Sequence, residues 1–222
     1  MTSQRGLLIV IEGLDRTGKS TQVQLLYQHF LNLNRKVEIL KFPDRSTNIG
    51  KLINSYLSNK ETKLNDESIH LLFSANRWEL KDYMTSQLNH GVNLILDRYI
   101  YSGISYSMAK GLDFDWCLNC DKNLIKPDFI FFLNFNNKNY FNEIQKRDDY
   151  GLEKYELLEF QQKVYDIFNQ VIFTDSDSGR LVKKHEFIKI DIENKNISQV
   201  ENEIKSAMDH LLENPIEELH HI

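Results

Sequence analysis

Apolar runs recur along the chain at residues 6–12, 37–42, 92–97, 128–134 and 185–191, and the segments between them are long enough to be helices. That alternation predicts five strands of a parallel sheet joined by helical crossovers, an α/β architecture in three layers. Residues 21–33 carry Val23, Leu25, Leu26, Phe30 and Leu33 at helical spacing, and Asn34 follows as a stop signal. Residues 66–89 predict one long helix on Leu71, Leu72, Ala75, Trp78, Leu80 and Met84, ended by Gly91. Residues 152–173 predict another, with Leu158, Val164, Tyr165, Ile167, Phe168 and Ile172 facing the core. Two segments break the rhythm. Residues 136–151 are polar with few apolar anchors in their second half and form a candidate mobile lid, placed at about residues 137–156. Residues 174–184, rich in Ser and Asp, read as a surface connection. No repeat and no second domain is visible, so residues 1–222 are expected to form one domain.

Composition narrows the class. A chain of 222 residues can bury enough surface to stand without disulfide or metal staples. Its net charge of −5 excludes the global basic field of a protein that grips nucleic acid through phosphates, so any phosphate site must be local. No apolar stretch approaches the ~18 residues of a membrane span. Residues 1–6 are too short for a signal sequence, and the expected location is intracellular, cytoplasmic or nuclear. Cys117 and Cys120 have the spacing of a redox pair or of half a zinc site. No further ligands stand at suitable spacing, which favours two reduced cysteines on a helix.

Gly13-Leu14-Asp15-Arg16-Thr17-Gly18-Lys19-Ser20 follows the first apolar run and precedes the first helical pattern. This is the order a phosphate-binding loop requires: Gly13 and Gly18 let backbone N–H groups converge, Lys19 reaches the outer phosphates, and the Ser20 hydroxyl suits Mg²⁺. The chain is therefore expected to handle a nucleotide. Asp15 opposes the charge being bound, so it should face a hydroxyl of a second substrate or else cap the helix. Arg16 could lean over the transferred phosphoryl group as an arginine finger, or be solvated. Asp97 and Arg98 end a predicted strand at the rim where open parallel sheets bind ligands. Asp97 could hold the Mg²⁺ shell or take a proton and Arg98 could clamp a phosphate; the alternative is a structural ion pair. Arg45, at the same rim, suits a bidentate phosphate grip or is an ordinary surface arginine. Phe73 and Arg77 lie four apart on one helix face, fit for a flat heterocycle with a carbonyl edge, or are a core ring and an exposed arginine.

Taken together, Phe42-Pro43-Asp44-Arg45-Ser46-Thr47, Leu72-Phe73-Ser74-Ala75-Asn76-Arg77-Trp78-Glu79 and Asp97-Arg98-Tyr99-Ile100-Tyr101-Ser102-Gly103 resemble the thymidylate kinase family of the eukaryotic kind, from Arg5 to about Leu212. The resemblance implies a P-loop fold of the nucleoside monophosphate kinase type and Mg²⁺-dependent transfer of the ATP γ-phosphoryl group to dTMP. It implies catalytic roles for Arg16, Lys19, Asp97 and Arg98. ATP would be held by Gly13, Arg16, Thr17, Gly18, Lys19, Ser20, Thr21 and the lid's Arg147, and Mg²⁺ by Ser20 and, through water, Asp97. Arg45 and Arg98 would hold the acceptor phosphate, Phe73 would stack on thymine, Arg77 would bond its carbonyl edge and Asp15 would take the 3′-hydroxyl. Tyr106 would favour the deoxy sugar, while Phe42, Ser102, Gly103, Tyr155 and Gln161 complete the dTMP pocket. The donor adenine would rest near residues 191–195. A homodimer is also implied, with the helix at residues 66–89 as an interface candidate. The rival readings are another deoxynucleotide kinase, a catalytically dead relative and a GTP-binding switch. The last should carry Asn-Lys-x-Asp, whereas Asn137-Lys138-Asn139-Tyr140 lacks the aspartate.

Overall fold

A computed structural model of the chain describes residues 5–136, 141, 153–174, 181–212 and 218–222. Five strands, β1 (Leu8–Gly13), β2 (Val37–Lys41), β3 (Asn93–Asp97), β4 (Phe129–Asn134) and β5 (Phe187–Asp191), form one sheet in the order β2-β3-β1-β4-β5. All four pairings are parallel, in registers such as Ile9 with Ile95 and Ile9 with Phe129. The five predicted strands are thus all present. β1 is central and buried at every position, which explains why its sequence is a continuous apolar run rather than an alternating one. The chain passes to β2 and β3 on one side of β1 before crossing to β4 on the other. That reversal opens a crevice at the C-terminal ends of the strands.

Helices cover both faces. α1 (Lys19–Asn32) buries Val23, Leu26 and Phe30, and Asn34 follows it in the left-handed region at φ 54°, the stop read from the sequence. α2 (Asn48–Ser58) is capped by the Thr47 hydroxyl, which accepts from Gly50 N–H at 2.9 Å. The long helix expected over residues 66–89 is two helices, α3 (Asp66–Trp78) and α4 (Lys81–Asn89). Leu80 N–H bonds back only three residues to Arg77 C=O, tightening the last turn, and the Glu79 carboxylate is drawn to Thr47 and Asn76. Neither Gly nor Pro marks that break, so periodicity runs through it. The bend lets α4 lay Met84 and Leu88 against β3 while α3 packs on α2 and on α5 (Ile100–Met108).

α6 (Phe114–Cys120) carries both cysteines as free thiols. Cys117 is buried, and burial pushes its thiol up to about 12, the behaviour of an inert core cysteine. The helix expected over residues 152–173 starts later, as α7 (Leu158–Ile167), and continues as a π-helical turn to Ile172. That wider turn seats Phe168 and Phe173 on Phe132, with Phe132 and Phe173 stacked at 4.4 Å. α8 (Ile197–Leu212) packs on α1. Among the described residues, no helix is long and apolar enough to cross a membrane.

Candidate active site

The loop between β1 and α1 has the backbone its sequence demands. A Cβ on Gly13 would lie 2.6 Å from Leu133 O, so only glycine lets the loop leave β1 at this angle. Gly18 sits at φ 88° as the N-cap of α1, with no side chain capping the helix; Asp15 is therefore not its cap. Arg16 also lies in the left-handed region, at φ 63°, a strained position for a non-glycine residue. Within the loop, Thr17 Oγ1 donates to Leu14 C=O at 2.9 Å and buried Lys19 donates to the same carbonyl. Ser20 Oγ donates to Asp97 Oδ2 at 2.6 Å, so the two residues proposed for the metal meet across the crevice. A hydroxyl and a carboxylate are the hard oxygen donors Mg²⁺ prefers.

Asp15 joins this loop to a cavity of about 100 Å³. Its Oδ1 accepts from Arg98 Nη2, and its Oδ2 from Tyr106 Oη and Gln161 Nε2, both at 2.9 Å. Burial opposes its charge, but Arg98, Lys19 and these hydrogen bonds outweigh it and hold the carboxyl below its ordinary range. The cavity is lined by Phe42, Arg45, Phe73, Arg77, Arg98, Ser102, Gly103, Tyr106 and Tyr155, all expected at the acceptor, together with Asp15, Tyr99, Ser107 and Glu153. Gln161 reaches it through Asp15 and Tyr155 C=O. Arg77 is buried, not exposed, and Phe73 is half-buried with its ring on the cavity.

Arg98, at φ 71°, spreads its guanidinium between Gly13 C=O (2.9 Å), Ser102 Oγ (2.8 Å) and Asp15. Asp97 faces Ser20 and, at 3.6 Å, Lys41, so Asp97 and Arg98 serve different partners instead of pairing with each other. Arg45 and Arg16 both meet carboxylates from the segment before α7. Arg45 pairs with Glu153 at 2.7 Å, and Arg16 pairs with Glu156 at 3.0 Å. Lys154 turns away from the phosphate loop, donating to Thr62 C=O with its ammonium 3.9 Å over the Tyr56 ring. Thr21 is exposed in the first turn of α1. Arg147 and most of the proposed lid lie outside the described residues.

Two residues escaped the sequence reading. Glu12, fully buried at the end of β1, accepts from Tyr99 N–H, Ser102 N–H and Ser102 Oγ, and so fixes the start of α5 beneath Arg98. Burial raises its carboxyl above the ordinary range against the pull of Arg98. Its signal was available: one acid inside an otherwise apolar central strand. Asp121, also fully buried, pairs with Arg77 at 2.6 Å, and no local pattern distinguishes it.

Comparison with known proteins identifies the family. The thymidylate kinase family model matches residues 11–204. The chain is 46% identical to thymidylate kinase of Dictyostelium discoideum over 207 residues, 93% of this chain and 86% of that protein. It is 43% identical to the human thymidylate kinase over 173 residues, 78% of this chain and 79% of that one. A solved structure of thymidylate kinase from Candida albicans, described as having broad substrate specificity, superposes with a TM-score of 0.85 at 40% identity over all of both chains. The matched span runs from β1 through the loop and the cavity into α8, and the fold is the P-loop nucleoside monophosphate kinase fold: the chain belongs to the thymidylate kinase family.

Proposed function

We propose that the phosphate loop and the adjoining cavity carry out the family's reaction on this chain, transfer of the ATP γ-phosphoryl group to dTMP giving dTDP and ADP, with ATP on the loop and dTMP in the cavity. The observation that carries the assignment is Asp15. It belongs to the donor loop, yet its partners Arg98, Tyr106 and Gln161 belong to the cavity. In the reaction an oxygen of the dTMP phosphate bonds to the γ-phosphorus as the bond to the β–γ bridging oxygen breaks. The attacking oxygen is already anionic near neutral pH, so no strong base is needed and Asp97 is free to orient Ser20. Lys19 and Arg16 stabilise charge shifting between the phosphates, and Arg45 and Arg98 hold the acceptor in line. Glu153 and Glu156 occupy Arg45 and Arg16 until phosphates displace them. Ser20 and Asp97 would hold Mg²⁺, which when bound neutralises charge on the β- and γ-oxygens.

At the far end of the cavity, Phe73 offers a ring for stacking and Arg77 a donor for the base carbonyl, while Tyr106 closes on the sugar. Leu71 on α3 is 50% exposed and Leu52 on α2 57% exposed, which supports pairing of two copies across these helices. The deciding assay is ADP release with ATP, Mg²⁺ and, in turn, dTMP, dUMP, dGMP, dCMP and thymidine. Turnover is expected with dTMP and not with thymidine, which lacks the phosphate that Arg45 and Arg98 grip; no turnover with dTMP overturns the assignment.

A further inference from the structure

Asp121 lies outside the cavity, and no step of the phosphoryl transfer uses it. It follows α6, is fully buried, and meets Arg77 from α3 side-on: Arg77 Nε donates to Oδ1 at 3.1 Å and Nη2 to Oδ2 at 2.6 Å. The Ser74 hydroxyl, one turn before Arg77, lies 2.8 Å from the same Oδ1 and 2.9 Å from Cys120 C=O, so its one proton is shared between the two acceptors. Both carboxylate oxygens therefore accept from Arg77, and two of the three guanidinium nitrogens are engaged by Asp121. Nη1 has no hydrogen-bond partner among the described residues and belongs to a side chain that lines the cavity. Gly103 leaves the guanidinium the room it occupies, since a Cβ there would fall 2.8 Å from Nη1 and 2.9 Å from Nη2.

We infer that Asp121 is the positioning residue that sets base selectivity, by holding Arg77 so that a single N–H-bearing nitrogen faces the base as an obligate donor. This rests on the assignment of Arg77 to the base. A pyrimidine with a carbonyl at position 4 accepts from Nη1. One with an amino group there sets donor against donor, and Asp121, which does not line the cavity, is not placed to accept from it. A buried site built to hydrogen-bond one group rejects the analogue that cannot supply it. Pairing with Asp121 also neutralises the Arg77 charge, which leaves this end of the cavity suited to an uncharged base while Arg45 and Arg98 serve the phosphate.

The test is steady-state kinetics of Asp121→Asn with dTMP, dCMP and ATP, alongside Arg77→Ala and the double variant. For Asp121→Asn, KM for dTMP is expected to rise at least ~10-fold with kcat and the KM for ATP within ~3-fold, and the dTMP to dCMP preference in kcat/KM to fall at least ~10-fold. In the Arg77→Ala background the same change should add less than ~2-fold. A general loosening would instead raise both KM values and lower kcat. Unchanged preference in folded Asp121→Asn, or an equal effect without Arg77, overturns the inference. Should Asp121→Asn not fold, Ser74→Ala loosens the same carboxylate and is expected to lower the preference by ~2–3-fold; an unchanged preference there overturns it equally. If Arg77→Ala alone leaves the KM for dTMP and the preference unaltered, the assignment of Arg77 to the base is what fails.

Discussion

The two ends of the acceptor cavity are built from the same kind of pair and could hardly differ more in burial. At the base end, Arg77 and Asp121 are 3% and 0% exposed. At the phosphate end, Arg45 and Glu153 are 40% and 37% exposed, and Arg16 and Glu156 lie between at 22% and 11%. An exposed pair contributes roughly 0–1 kcal/mol and gives way readily to a better anion. A buried pair is part of the fold, because removing one partner strands a charge at a cost of about 3–5 kcal/mol. On the proposed assignment the base end is therefore finished before substrate arrives, whereas the phosphate end holds carboxylates where the phosphates are proposed to sit.

The largest test of that contrast is stability. Asp121→Ala should lower the unfolding free energy by about 3–5 kcal/mol, since it leaves Arg77 buried without its partner, whereas Glu153→Ala should cost at most about 1 kcal/mol. Denaturant melts of the two variants check it directly. Equal losses would mean that the exposed pair is as structural as the buried one, and that phosphate does not simply replace Glu153.

Next in size is the loop arginine. Arg16→Ala is expected to lower kcat at least ~10²-fold, the low end for one donor aimed at transition-state charge. Single-turnover measurements with ATP and dTMP read it. Near-normal turnover would move the catalytic charge to a cation beyond the loop and leave the Arg16–Glu156 pair a structural contact only.

How far all this could be read from the chain depended on the distance over which each feature is specified. The strands and the phosphate loop were legible because their causes are local: continuous apolar runs, and glycines whose φ values of 149° and 88° are required within eight residues. The cavity was legible through residue types at strand ends and on one helix face, and for the rest through the family resemblance. Phe73 and Arg77 could be placed on one helix face, yet the same pattern fits a core ring and a surface arginine. What resisted reading was the identity of distant partners. Glu12 meets Ser102 ninety positions away and Asp121 meets Arg77 forty-four away, and neither spacing leaves a periodic trace. The split of α3 from α4 was hidden for the opposite reason: it is closed by one short backbone bond and a glutamate side chain, with no breaker residue to announce it.

The smallest effect reports on the phosphate end itself. Among the described residues, buried Lys19 has the Leu14 carbonyl as its one hydrogen-bond acceptor, and burial, helped by Arg98, pushes its ammonium down to about 7 against Asp15, Asp97 and Glu12. Its ordinary value lies more than three units higher. At pH 8 this amine therefore lies mostly on the neutral side in the free protein. Phosphates bring the negative charge that favours the ammonium, so the bound form has the higher pKa and binding must take up a proton. ATP binding at pH 8 should be coupled to net proton uptake, and affinity should fall between pH 7 and 8, above the phosphate's own titration. Calorimetry in two buffers of different ionisation enthalpy measures the uptake. Uptake near zero at pH 8 would mean that the carboxylates already keep Lys19 charged. The phosphate end would then be as complete before binding as the base end, and the contrast between them would reduce to exposure alone.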